Sequence, residues 1–178
     1  MAAQTPQKIA VIIVMGVSGS GKTTTGKALA ASLGWQFEDG DDFHSAANKA
    51  KMHAGHPLAD ADRMPWLQTL AEHIATWATS KPTVLACSAL KESYRAILVG
   101  ERSDVAVVYL KADFETIAAR LNARTGHFMN KELLRSQFET LETPHGVTAE
   151  GRSAVIEVDA DLSPAEIVEK IRATFLRI

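Results

Sequence analysis

The chain has 178 residues, with 19 lysines and arginines against 21 aspartates and glutamates, a formal net charge of −2. That length suits one domain (1–178) with a sizeable core; 46% hydrophobic and 22% charged residues exclude wholesale disorder, and the charge balance lacks the basic footprint of a nucleic-acid binder. Cys87 is the sole cysteine, which excludes an intrachain disulfide, and the longest apolar run, Ile9 to Met15, is too short to span a membrane. These features predict a soluble protein of a reducing cytoplasm.

Residues 1–7 are polar and form a loose tail. Ile9–Met15, rich in Val and Ile, has the pattern of a strand buried on both faces. Thr23 to Leu33 follows at helical spacing and stops at Gly34. Trp35–Asp39 is a short second strand, and Gly40–Pro57 is irregular, polar and rich in histidine. Asp60 to Thr79 predicts a long helix, with Leu67, Leu70, Ile74 and Trp77 in one stripe and Pro65 near its first turn. Thr83–Cys87 and Val105–Leu110 are two more strands, each leading into a helical pattern, Ser88–Leu98 and Asp113–Arg124. Asn130–Leu141 predicts a further helix, Ala154–Val158 a fifth strand. Ser163, Pro164 and Glu166 supply the N-cap, first-turn proline and capping-box partner of a last helix. Alternating strands and helices predict an α/β three-layer fold, a five-stranded parallel sheet with helices on both faces.

Gly16-Val17-Ser18-Gly19-Ser20-Gly21-Lys22-Thr23 fits G-x-x-x-x-G-K-[ST] at every specified position, after a strand and before a helix. Glycines let such a loop turn its N–H groups onto phosphate oxygens, and the helix N-terminus adds positive potential. The stretch Gly16–Thr24 is therefore the expected nucleotide site, Lys22 reaching the β- and γ-phosphates and the Thr23 hydroxyl ligating Mg²⁺. A GTP switch fits poorly. Asn48-Lys49-Ala50-Lys51 ends in lysine where a guanine-reading motif needs an acid, and no D-x-x-G occurs.

Asp39-Gly40-Asp41 follows the second strand, beside the phosphate loop in a doubly wound sheet. Two carboxylates there can divide their work, Asp39 in the metal shell and Asp41 accepting a proton from an attacking hydroxyl. Cys87 reads as a small buried thiol rather than a nucleophile. Trp66 and Trp77 read as core or pocket wall. A zinc cluster of His44, His53 and His56 with Asp41 and Asp42 is a weaker reading, since the nucleotide loop already accounts for the acids.

From about Ile9 to the last helix, the chain resembles a gluconokinase of the small P-loop kinase group that includes shikimate and nucleoside-monophosphate kinases. Beyond the generic loop, the resemblance rests on Asp39-Gly40-Asp41 with His44, Asn48, Lys51 and Met52, then Asp60-Ala61-Asp62-Arg63-Met64-Pro65-Trp66-Leu67. It continues through Cys87-Ser88-Ala89-Leu90-Lys91 with Tyr94-Arg95, Gly126-His127-Phe128 and Gln137-Phe138-Glu139-Thr140-Leu141-Glu142. Ala61 departs from the family, which commonly has an aspartate there. The resemblance implies ATP- and Mg²⁺-dependent phosphorylation of the 6-hydroxyl of D-gluconate, in carbohydrate-acid catabolism feeding the pentose phosphate or Entner–Doudoroff route, by a homodimer without nucleic-acid or membrane partners.

A sugar acid wants cations and small polar groups around it. Arg63, Lys91 and Arg95 are available, the last two sharing a helical face. Asp41, His44 and Asn48 could read hydroxyls, and His127 joins the acceptor set. The acceptor region spans about 40–80. A short lid at about 120–135 brings Arg120 and Arg124 to the transferring phosphoryl group and excludes water. Adenine contacts are expected near the lid helix and around Asp159. A kinase of another small hydroxy acid such as shikimate is the alternative on the same scaffold; a nucleotide-dependent binding protein would release no ADP on adding acceptor.

Overall fold

A computed structural model describes residues 8–123, 131–145 and 154–175. Five strands, β1 (Val11–Met15), β2 (Gln36–Asp39), β3 (Thr83–Ala86), β4 (Val105–Lys111) and β5 (Val155–Asp159), form one sheet in the order β2-β3-β1-β4-β5. Every pairing is parallel, with Val11 of β1 in register with Thr83 on one side and Val105 on the other.

Helices cover both faces: α1 (Lys22–Leu33), α2 (Ala46–His53), α3 (Asp60–Ser80), α4 (Glu92–Val99), α5 (Phe114–Ala123), α6 (Lys131–Thr140) and α7 (Pro164–Phe175). The two-residue period of β1 sorts its side chains. Val11, Ile13 and Met15 pack with Leu67, Leu70 and Ile74 of α3 and Leu98 of α4. Ile12 and Val14 face the other way, onto Leu29 of α1 and Ile167 and Ile171 of α7. A third cluster joins Val17 and Leu90 to Ile117, Leu121 and Leu134. It ties α5 and α6 to the loops at the sheet's carboxyl edge.

The sheet and its two helical layers match the expected architecture. The capping box also forms: the Glu166 N–H donates to Ser163 Oγ at 3.3 Å and the Ser163 N–H to Glu166 Oε2 at 2.9 Å. Two expectations differ. Gly40–Pro57 is not irregular throughout; Gly40–Phe43 is a 3₁₀ turn, and Ser45 caps α2 by accepting the Asn48 N–H at 3.1 Å. The helix after β3 begins at Glu92 rather than Ser88, because Ser88–Lys91 runs as a loop in which Ala89 has φ 44. Among the described residues no helix is long and apolar enough to cross a membrane.

Candidate functional site

Parallel strands bring all their carboxyl ends to one edge, and the chain leaves β1 toward β2 but β4 toward β5, so the connections part between β1 and β4. A ligand crevice belongs there. Gly16 exits β1 with φ 152, and a Cβ on it would stand 2.7 Å from Ser20 Oγ and 3.0 Å from the Leu110 carbonyl oxygen. Gly21, φ 93, opens α1 with no side-chain cap and no acid in the first turn. The helix N-terminus therefore faces the loop with its positive end uncompensated. Lys22 Nζ crosses the loop to donate to the Val17 carbonyl at 2.9 Å. Burial pulls its pKa down, while Asp41, Cys87 and Asp39 pull the other way. Ser20 Oγ is the one buried side-chain polar atom without a partner among the described residues.

Asp39 ends β2, where its Oδ1 accepts the Asp41 N–H at 3.1 Å and its Oδ2 accepts from Thr23 Oγ1 at 3.2 Å. The exposed Thr23 hydroxyl and a carboxylate oxygen thus lie together beside the phosphate loop. Two hard oxygens fit Mg²⁺, which takes the rest of its shell from phosphate and water. Among the described residues no three His, Cys, Asp or Glu side chains are grouped to hold a metal. Asp41 opens onto the cleft, yet protein crowds its carboxyl. Burial first and the Asp39 charge second raise its pKa, against Lys22 and Arg63, which lower it.

A cavity of about 240 Å³ lies against this edge, lined among others by Ser18, Lys22, Asp41, His44, Arg63 and Gln137. That is below the roughly 300 Å³ at which pockets for drug-sized molecules begin, so it suits a small occupant. Trp66 backs the His44 side chain: its Nε1–H donates to the Gly40 carbonyl at 2.7 Å, and its ring stacks on His44 with centroids 4.2 Å apart. Burial, with Arg63 and Lys49 adding to it, pushes the His44 pKa down to about 4, so the ring is neutral at pH 7. Arg63 Nε donates to the Leu58 carbonyl at 3.3 Å, and its guanidinium lies 5.6 Å from the Tyr94 ring centroid. Its terminal nitrogens have no partner among the described residues, leaving a free fork for a carboxylate.

Several expected site residues are placed otherwise. Lys91 stands before α4 rather than within it and donates to both Asp60 carboxylate oxygens at 2.9 Å, away from the cavity lining. Tyr94 donates to the same carboxylate. Arg95 is 2% exposed, with Nη1 on the Ala89 and Leu90 carbonyls and Nη2 on Glu92 and the Glu142 carbonyl. It clamps the Ser88–Lys91 loop to the end of α6. Asn48 is buried too, its Nδ2 donating to the Asp62 carbonyl at 2.8 Å and lying 3.4 Å from His44 Nδ1. Arg120 pairs with Asp161 at 2.7 Å and donates to the Ala160 carbonyl, which sets it at the loop after β5. Arg124 and His127 lie outside the described residues, as do the other residues of 124–130 in the expected lid. Cys87 is buried, its thiol pushed up to about 12 chiefly by burial.

Gln137 has a role that its sequence position does not reveal. Its Oε1 accepts the Ser18 N–H at 2.7 Å and its Nε2 donates to Ser18 Oγ at 2.9 Å, bridging α6 to the phosphate loop. The partners are 119 residues apart, and nothing local announces the contact.

The shikimate kinase family profile matches residues 18–175. The chain is 42% identical to the gluconokinase of Gluconobacter oxydans, over 90% of this chain and 88% of that protein. It is also 42% identical to the thermosensitive gluconokinase of Escherichia coli, over 93% and 87%. A crystal structure of a gluconokinase from Sinorhizobium meliloti superposes with a TM-score of 0.81 at 40% identity, covering 98% of this chain and 94% of that one.

Proposed function

The chain belongs to the gluconokinases of the shikimate kinase family, and on that premise we propose that it transfers the γ-phosphoryl group of ATP to the 6-hydroxyl of D-gluconate, giving 6-phospho-D-gluconate and ADP. The observation that carries this reading is the sharing of one small cavity by the phosphate loop, Asp41 and the free fork of Arg63.

Phosphoryl transfer asks the protein chiefly for positioning and for charge where charge develops. The loop amides from Gly16 to Thr24 and the N-terminus of α1 hold the phosphates, and Lys22 neutralises the group in flight. Arg63 clamps the carboxylate end of the sugar acid, which leaves the far hydroxyl to Asp41. Its raised pKa improves Asp41 as a proton acceptor. As the alcohol oxygen bonds to phosphorus and the bond to ADP breaks, the hydroxyl proton goes to Asp41 and then to solvent. Thr23 and Asp39 would hold Mg²⁺, which supplies charge neutralisation on the phosphates. Arg124 and His127 enter this reading as a lid cation and an acceptor contact. A cytoplasmic homodimer completes it, supported by the resemblance and by a lone, buried cysteine.

The test is ADP release with ATP·Mg²⁺ against gluconate, shikimate, glycerate, ribose and nucleoside monophosphates, with the product identified as a primary phosphomonoester. A response confined to gluconate is expected. A response to shikimate would keep the phosphate site and overturn the acceptor assignment.

A further inference from the structure

His44 meets α2 with one ring nitrogen, and its side chain lines the cavity. Asn48, four residues on and 8% exposed, places its Nδ2 at 2.8 Å from the Asp62 carbonyl oxygen and 3.4 Å from His44 Nδ1. A peptide carbonyl only accepts, so the amide group facing it is the NH₂ and not Oδ1. Once that orientation is fixed, the second amide hydrogen is left for His44 Nδ1. An imidazole nitrogen that meets an N–H must present its lone pair, so the ring proton resides on Nε2.

Nε2 has no hydrogen-bond partner among the described residues, yet it is not a buried orphan, a status Ser20 Oγ alone holds there. It is therefore accessible to solvent, on a side chain that lines the cavity. The ring cannot turn over freely, because it lies flat on Trp66 at an interplanar angle of 16°. The carbonyl that orients Asn48 is itself braced. Asp62 accepts the Ala59 N–H at 2.8 Å and pairs with Lys51 at 2.6 Å, locking α2 to the start of α3.

We propose that Asn48 is a positioning residue that holds His44 in its Nε2–H tautomer, making His44 a fixed hydrogen-bond donor into the acceptor cavity. Asp41 accepts and His44 donates, so the acceptor is read with a polarity. The hydroxyl at Asp41 must give its proton, while the oxygen at His44 must offer a lone pair, as a hydroxyl or carboxylate oxygen does. A ring free to exchange tautomers would reward either arrangement. The identity of the acceptor rests on the kinase reading above; the tautomer does not.

The experiment is a ¹⁵N–¹H correlation spectrum of the ¹⁵N-histidine-labelled protein at pH 7, the His44 signals being those lost in His44→Gln. The expected pattern is a protonated, pyrrole-type Nε2 and a lone-pair, pyridine-type Nδ1. Asn48→Ala is expected to shift that ring toward a mixture of tautomers. It should also raise KM for the sugar acid about tenfold, the worth of one hydrogen bond, with the effect on KM rather than on kcat or on KM for ATP. An Nδ1–H ring or an imidazolium in the wild-type protein would overturn the proposal even if Asn48→Ala fails to fold, as would a folded variant with unchanged ring signals. The expected tautomer in a protein that ignores gluconate would support the proposal and overturn only the substrate.

Discussion

Asp41 and His44 occupy one short turn, and burial moves them in opposite directions, the acid up and the base down. Both shifts follow from one cause, the cost of holding charge away from water. For His44 the sign is plain. Its folded pKa of about 4 lies below the usual 6.5, so between those values the unfolded chain binds more protons. The neutral ring's contribution is complete above pH 6.5 and is lost as pH falls through 4, on the order of 3 kcal/mol in all. Arg63 on α3 and Lys49 on α2 reinforce the shift. The His44→Gln variant should therefore show a shallower loss of stability between pH 6.5 and pH 4 than the wild-type protein, measured by urea unfolding at several pH values. Equal slopes would mean that His44 carries no such penalty. Asp41 was legible in the sequence because D-G-D after a strand is a local signal. The fate of the cations was not. The spacing of Lys91 and Arg95 is helical, but only the three-dimensional structure shows Lys91 outside the helix, spent on Asp60, and Arg95 turned inward.

The loop from Ser88 to Lys91 is an element without regular structure that nevertheless forms a wall of the cavity through Ser88 and Leu90. It holds Ala89 at φ 44, a conformation that costs a non-glycine residue about 1–3 kcal/mol. Arg95 compensates by binding the Ala89 and Leu90 carbonyls and, through the Glu142 carbonyl, the end of α6. Glu142 returns the tie: its carboxylate accepts the Glu92 N–H at 2.6 Å, capping α4, and its own N–H donates to the Leu90 carbonyl. Replacing Arg95 with alanine strands these acceptors and should cost roughly 3–5 kcal/mol, read as a lower urea midpoint. A loss below about 1 kcal/mol would show that the loop holds itself. The sequence did not reveal α2 for a related reason. Ala46–His53 has no apolar stripe, and its one buried residue is Asn48, a polar side chain facing polar partners. Periodicity reads only helices that bury hydrocarbon.

The molecule as a whole explains why the phosphate loop was readable and the acceptor cavity only partly so. The loop is a single segment whose strand, glycines and helix are contiguous, and its conformation follows from local chemistry. The cavity is assembled from the 3₁₀ turn, the 52–58 segment, α3, the Ser88–Lys91 loop and α6, brought together only by the parallel sheet and its crossovers. Gln137 joins the two, so the phosphate loop and the cavity meet at Ser18. On the proposed reading, Asp41 receives the proton of the acceptor hydroxyl at this junction. Steady-state ADP release with gluconate, run side by side for the wild-type protein and Asp41→Asn, tests it most directly. We predict that the variant folds, binds ATP with unchanged KM and loses about 10²-fold or more in kcat, the usual worth of a positioned base; wild-type turnover in Asp41→Asn would contradict the account.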